Sequence, residues 1–229
     1  MSTIVENLAG VRGRIEAACR QAGRDPATVK LVAVCKKKPV SMVREAYEAG
    51  QRCFGENYAQ ELRDKAKELS DVEIDWHFIG NLQKNKAKYV APVASMVETV
   101  DSIEIVRALA DRLPEDSPPL PCLIEVNIGG ETSKSGVAPN GIIPFIKELL
   151  RIPKIALKGL MILPPYDEDP ELSRPYFKGL RELLVLVNRE LSLIEPLTEL
   201  SMGMSYDFEI AIAEGATIVR VGTAIFGER

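Results

Sequence analysis

Three consecutive lysines, Lys36, Lys37 and Lys38, stand where a short apolar run ends. The run, residues 30–35 (KLVAVC), is dense in apolar and β-branched residues, which is how a buried strand reads. A lysine at the end of such a strand can lose its proton through desolvation, and a neutral amine condenses with an aldehyde to form a Schiff base. Charge runs are ordinarily solvated. Spacing alone does not choose among the three, beyond placing Lys36 directly after the strand.

A second constellation lies near the other end of the chain. Met202-Gly203-Met204-Ser205 puts a glycine and a serine just before a helical stretch, where backbone N–H groups and the helix dipole face an anion. Gly222-Thr223 offers a second set of backbone donors and a hydroxyl, and Arg220 precedes it by two residues. The bland reading is a pair of tight turns and a salt-bridged arginine. A reactive lysine together with a phosphate site points to two classes of protein. One is an aldolase-like enzyme acting on a phosphorylated sugar; the other holds pyridoxal 5'-phosphate (PLP), with Arg220 reaching a ring nitrogen.

Other chemistries are excluded by counting. His77 is the single histidine, so multi-histidine metal sites cannot form, and a Ser-His-Asp triad could use only His77. Beside Trp76 in an apolar run, His77 reads more readily as a packed core residue. Residues 130–136 (GETSKSG) look like a phosphate loop, but Ser133 stands where a Walker motif needs glycine, so no nucleoside triphosphate site is expected. The four cysteines are scattered without a C-x-x-C pair, so neither a disulfide framework nor a zinc site is expected, and free thiols fit a reducing compartment. Glu6, Arg12, Arg14 and Glu16 interrupt the stretch where a signal peptide would be apolar. No run of about 18 apolar residues occurs. These features predict a cytoplasmic protein that does not enter the membrane. A net charge of −4 gives no basic footprint for nucleic acid.

The elements that must position these groups alternate along the chain. Ile4, Leu8, Val11, Ile15 and Ala18 recur at helical steps and predict a helix ahead of the first strand. Strand-like runs then fall at residues 30–35, 52–54, 74–79, 95–99, 122–127, 156–162, 199–202 and 218–221. Amphipathic stripes fill the gaps, among them Ile103, Val106 and Leu109, and Phe177, Leu180, Leu184, Val187 and Leu191. Such alternation predicts a parallel sheet with helical crossovers, and eight units can close into a (β/α)8 TIM barrel. An open doubly wound sheet would carry a glycine-rich turn after the first strand; here Lys36-Lys37-Lys38-Pro39 stands there. No linker divides the chain, which reads as a single α/β domain over residues 1–229 with an extra N-terminal helix. The site is then expected at the C-terminal strand ends, where Lys36, Asn57, Met204 and Thr223 fall.

The chain resembles the pyridoxal phosphate homeostasis family, also called the proline synthase co-transcribed proteins. The resemblance rests on Leu31-Val32-Ala33-Val34-Cys35-Lys36-Lys37-Lys38-Pro39, Phe54-Gly55-Glu56-Asn57-Tyr58, Trp76-His77-Phe78-Ile79-Gly80 and Leu82-Gln83-Lys84-Asn85-Lys86. It continues through Val126-Asn127, Ser133-Lys134-Ser135-Gly136, Gly159-Leu160-Met161, Ser201-Met202-Gly203-Met204-Ser205 and Val219-Arg220-Val221-Gly222-Thr223-Ala224-Ile225-Phe226-Gly227, in family order over nearly the whole chain.

The resemblance implies a barrel similar to the N-terminal domain of alanine racemase, with PLP held as a Schiff base on Lys36. It implies phosphate contacts from Gly203, Met204, Ser205, Gly222 and Thr223, and Arg220 at the pyridine nitrogen. Asn57 and His77 are implied near the ring. Cys35 and Lys37 depart from the common serine and threonine. Cys35, alternating with Lys36, is expected to point away from the cofactor. The resemblance further implies a monomer that buffers PLP and delivers it to apo-enzymes, maintaining vitamin B6 homeostasis. The alternative reading is a low-activity amino-acid racemase. With the sequence closing at Arg229, no second domain is expected to supply the partner acid/base that a two-base racemase needs.

Overall fold

A computed structural model describes residues 3–130 and 135–228. Ser133 and Lys134 of the Ser133–Gly136 motif lie outside the described residues.

The first helix, α1 (Ile4–Gln21), begins at a reciprocal cap. Glu6 donates its amide to Thr3 Oγ1 at 3.2 Å, and Thr3 returns its own to Glu6 Oε2 at 2.8 Å. Its buried face carries Ile4, Leu8, Val11, Ile15 and Ala18, the residues whose spacing predicts it.

Eight strands then alternate with helices: β1 (Lys30–Val34), α2 (Val40–Glu48), β2 (Cys53–Glu56), α3 (Ala59–Glu68), β3 (Asp75–Phe78), α4 (Ala87–Val90), β4 (Met96–Val100), α5 (Ile103–Ala110) and β5 (Leu120–Glu125). The second half adds α6 (Ile142–Leu149), β6 (Ile155–Met161), α7 (Arg174–Leu191), β7 (Glu199–Ser201), α8 (Phe208–Ala213), β8 (Ile218–Val221) and α9 (Thr223–Phe226). The strands are all parallel and close into a barrel in sequence order, β1 pairing with both β2 and β8. The expected TIM barrel with its preceding helix is the architecture observed.

Period-two alternation divides the core into two layers. Val32, Cys53, Met96, Leu123, Met161 and Ile218 pack together inside the barrel. Ala33, Cys35, Phe54, Phe78, Val97, Ile124, Leu160 and Val219 join the larger core that also contains the buried helix faces. The helix α1 lies against α8 and α9, and Asn7 Nδ2 donates to the Ile225 carbonyl at 2.9 Å. It therefore braces the seam where β8 meets β1.

The predicted strand at residues 52–54 is shorter than β2. Glycine ordinarily weakens a strand, but Gly55 sits in register with Val34 on one side and His77 on the other. The ladder continues through it to Glu56. Among the described residues, no helix is long and apolar enough to cross a membrane.

Candidate functional site

Barrel closure puts the ends of β7, β8, β1 and β2 side by side. The Arg220 amide donates to the Gly203 carbonyl at 3.0 Å, joining the loop after β7 to β8. A side-chain carbon on Gly222 would lie 3.2 Å from the Val34 carbonyl oxygen, a tight fit that glycine relieves where β8 and β1 approach. The Cys35 amide donates to the Gly55 carbonyl at 3.0 Å, joining β1 to β2 just before Asn57. Lys36, Asn57, Gly203, Arg220, Gly222 and Thr223 thereby fall on one arc of the C-terminal face.

The three lysines are now distinct. Lys36 is half-buried and keeps the phase of inward-facing Val32. Lys37 turns at φ 59°, and its ammonium lies 5.8 Å from the centre of the Tyr58 ring. Lys38 donates from Nζ to the carbonyls of Phe226, Gly227 and Glu228 at 3.0, 3.0 and 2.7 Å, capping the C-terminus of α9. Cys35 faces outward. Its Sγ donates to Glu56 Oε1 at 3.1 Å, and burial, helped by the charge of Glu56, pushes its thiol well up. Lys65 bridges Glu56 Oε1 at 2.5 Å and the Cys35 carbonyl at 2.8 Å, clamping the backbone one residue before Lys36.

The loop after β7 depends on glycine. Gly203 sits at φ 91°, and an added carbon would come within 2.6 Å of Ala211 Cβ and 2.8 Å of Phe208 Cα. Gly203→Ala is expected to displace this loop and weaken anion binding on the arc, read as a raised dissociation constant for inorganic phosphate. The structure narrows the list of anion donors. The Met204 amide, expected to face an anion, donates instead to Asp207 Oδ1 at 2.7 Å. An aspartate in the turn before a helix competes for such amides. Ser205 is half-buried in the same turn. Thr223 opens α9, where the first amides have no preceding carbonyl to take them.

Below the mouth runs a buried polar chain. The Arg220 guanidinium donates to Ser201 Oγ and, at 2.9 Å, to the Ile162 carbonyl. Ser201 donates to Glu98 Oε2 at 2.5 Å, and Glu98 Oε1 meets His77 Nδ1 at 2.5 Å. Burial by itself would raise Glu98, but His77, Arg220 and Ser201 outweigh it and hold the carboxyl below its ordinary range. Burial opposes charge on His77, yet the neighbouring Asp75, Cys53 and Glu98 raise it well above the usual imidazole value. Burial lowers Arg220, with Glu98, Asp207 and Glu125 pulling the other way; a guanidinium remains charged throughout.

His77 is joined through Glu98 and Ser201 to Arg220, one of the residues the family resemblance implies at the ring. It is 1% exposed, tied to Glu98, and is not part of the cleft wall at the barrel mouth. That cleft encloses about 280 Å³ and is lined by Asn57, Gly80, Thr99, Glu125, Pro164 and Tyr176, among others. Asn57 Oδ1 is buried there without a hydrogen-bond partner, an acceptor open to a donor from a ligand. Lys36 and Arg220 are not in the cleft wall; Asn57, in that wall, follows β2, the strand beside β1.

Glu98, Ser201 and Asp207 are the residues that sequence reasoning missed. A signal existed for Glu98, a lone carboxylate inside the apolar run Met96–Val100. Ser201 and Asp207 flank the glycine loop and lacked only a partner.

Comparison with known proteins places this geometry. The alanine racemase N-terminal domain pattern matches residues 7–229. The pyridoxal phosphate homeostasis protein of Pseudomonas aeruginosa is 47% identical over 229 residues, covering 100% of this chain and 97% of its own. That of Aquifex aeolicus is 43% identical over 224 residues, covering 98% and 97%. PipY of Synechococcus elongatus, solved with PLP bound, superposes with a TM-score of 0.86 at 33% identity, covering 98% of this chain and 100% of that one.

Proposed function

The chain belongs to the alanine racemase N-terminal domain family, and from that premise we propose that it binds PLP at the barrel mouth and maintains the cofactor supply by holding and releasing it. One observation carries this reading: a lysine, an arginine, two glycine-dependent loops and a buried, unpartnered Asn57 Oδ1 converge on four adjacent strand ends. The relatives named for pyridoxal phosphate homeostasis, and PipY with PLP bound, support it.

The residues fit the group. Lys36 supplies the amine that attaches the aldehyde covalently and reversibly. Ser205, Gly222 and Thr223 take the phosphate, on a loop whose path Gly203 sets. Arg220, fixed by Ser201 and Ile162, presents a permanent donor to the ring nitrogen. When bound, PLP supplies an electrophilic aldehyde and an electron-withdrawing ring. Because a guanidinium donates and does not accept, Arg220 keeps the ring nitrogen unprotonated and that withdrawal weak. Storage then prevails over turnover, and racemisation of D- and L-amino acids is expected at background level. Apo-enzymes that need PLP are the acceptors, and a monomer in the cytoplasm is the working form. Four free, buried cysteines fit that reducing compartment.

The test is borohydride trapping with peptide mapping of the PLP-loaded protein. A label on the Lys36 peptide is the expected result. Absence of a trapped label, or robust Lys36-dependent racemisation, would sink the carrier reading. The phosphate assignment has its own check. Ser205→Ala combined with Thr223→Ala is expected to shed PLP on dialysis faster than either single variant. Unchanged cofactor content in the double variant would refute these contacts.

A further inference from the structure

We propose that Cys53, Asp75 and His77 form a binding site for one Zn²⁺ ion at the N-terminal end of the barrel interior, away from the cofactor arc. Cys53 and Asp75 are the first residues of β2 and β3 and are direct partners in the ladder between them. His77 lies two residues along β3, so its side chain leaves the same face as that of Asp75. One ligand atom from each of the three lies within 4.8 Å of the others.

The geometry between the ligand atoms suits a metal better than a hydrogen bond. His77 Nε2 and Asp75 Oδ2 are 3.6 Å apart. That is too long for a hydrogen bond, but it is close to the edge of a tetrahedron, about 3.4 Å, built on metal–ligand bonds near 2.1 Å. The orientations of His77 and Asp75 are already set. Glu98 holds His77 Nδ1 at 2.5 Å, which turns Nε2 toward Asp75. A carboxylate behind a histidine is the usual support for a zinc ligand. Ser95 Oγ donates to Asp75 Oδ1, leaving Oδ2 toward His77.

A thiolate, an imidazole and a carboxylate with a fourth position for water match the preferences of zinc. An entry path exists. Asp75 is half-exposed and lines a cleft of about 500 Å³ on this end with Tyr47, Arg52 and Ser95. The Lys30 ammonium, 3.4 Å from Asp75 Oδ2 and about half-exposed, competes for the same oxygen and can swing into solvent.

The test uses the full, PLP-loaded chain dialysed against Zn²⁺ and, separately, Co²⁺. One zinc per chain and a thiolate-to-cobalt charge-transfer band are expected. Cys53→Ser should remove the band. Asp75→Asn, at a half-exposed position, should weaken zinc binding by at least about tenfold, since loss of even an outer-shell partner costs that much. Lys30→Met should tighten it. Lys36→Ala should leave the zinc stoichiometry unchanged, separating this site from the cofactor's own affinity for metals. Absence of the cobalt–thiolate band, zinc retained equally by Cys53→Ser and Asp75→Asn, or zinc lost with Lys36→Ala would each overturn the assignment.

Discussion

Lys36→Ala is expected to abolish borohydride-trapped cofactor and to weaken PLP retention by at least about 100-fold, roughly 3 kcal/mol. The reason is positional. Lys36 continues the inward phase of β1, at the junction of the loop after β8 with the end of β2. Its neighbours have other tasks. Lys38 satisfies three carbonyls at the end of α9, and Lys37 is turned toward Tyr58 by a left-handed backbone. Lys37→Ala should keep the label. Lys38→Ala should keep it too, while losing stability as the α9 carbonyls give up their donor, at about 1 kcal/mol per hydrogen bond. Equilibrium dialysis and mass spectrometry of the trapped peptide make the measurement. A label that moves to Lys37, or persists unchanged in Lys36→Ala, would refute the assignment.

Glu98→Ala is expected to cause the largest loss of stability. Glu98 is completely buried and accepts from Ser201 while holding His77, with Arg220 3.8 Å away. Removing it strands the buried positive charge of Arg220 and leaves His77 Nδ1 without its partner. Breaking a buried ion pair from one side costs about 3–5 kcal/mol. At roughly 2–4 °C per kcal/mol for a chain of this size, the melting temperature should fall by roughly 6–20 °C. Ser201→Ala removes one link without leaving a charge alone, and should cost only about 1–3 kcal/mol. The Glu98 variant should also hold PLP more weakly, because Ser201, which aims Arg220, loses the carboxylate that orients it. Thermal melts with and without PLP test both parts. A Glu98→Ala melt matching the parent would show that the buried chain contributes little.

Much of the barrel was legible because its signals are local. The strand reading of residues 30–35, whose side chains must alternate, and the period of about 3.6 in α1 state which side chains share a face before any neighbour is known. That rule separates Cys35, which packs outward on Glu56, from Lys36. Gly203 and Gly222 were legible as turn glycines, and at Gly203 a φ of 91° with close neighbours leaves no room for a side chain. Errors came where a second element overruled a local preference. β2 ran on past Gly55 because β1 and β3 both pair with it. The Met204 amide was claimed by Asp207, three residues on. The partner of buried His77, Glu98 on the neighbouring strand, was equally invisible in the local pattern.

The sequence by itself determined the alternation, the inward phase of Lys36 and Arg220, the glycine-dependent loops and the membership of a family. These follow from backbone sterics and side-chain periodicity, which need only neighbours in the chain. Tertiary structure decided where Lys37 and Lys38 point, that Glu98 meets Ser201, 103 residues on, as well as His77, and that Cys53 meets Asp75 and His77. Those pairings arise only when β8 closes on β1 and each strand finds its register. Closure is a property of eight strands at once, and no local pattern in any one of them records it.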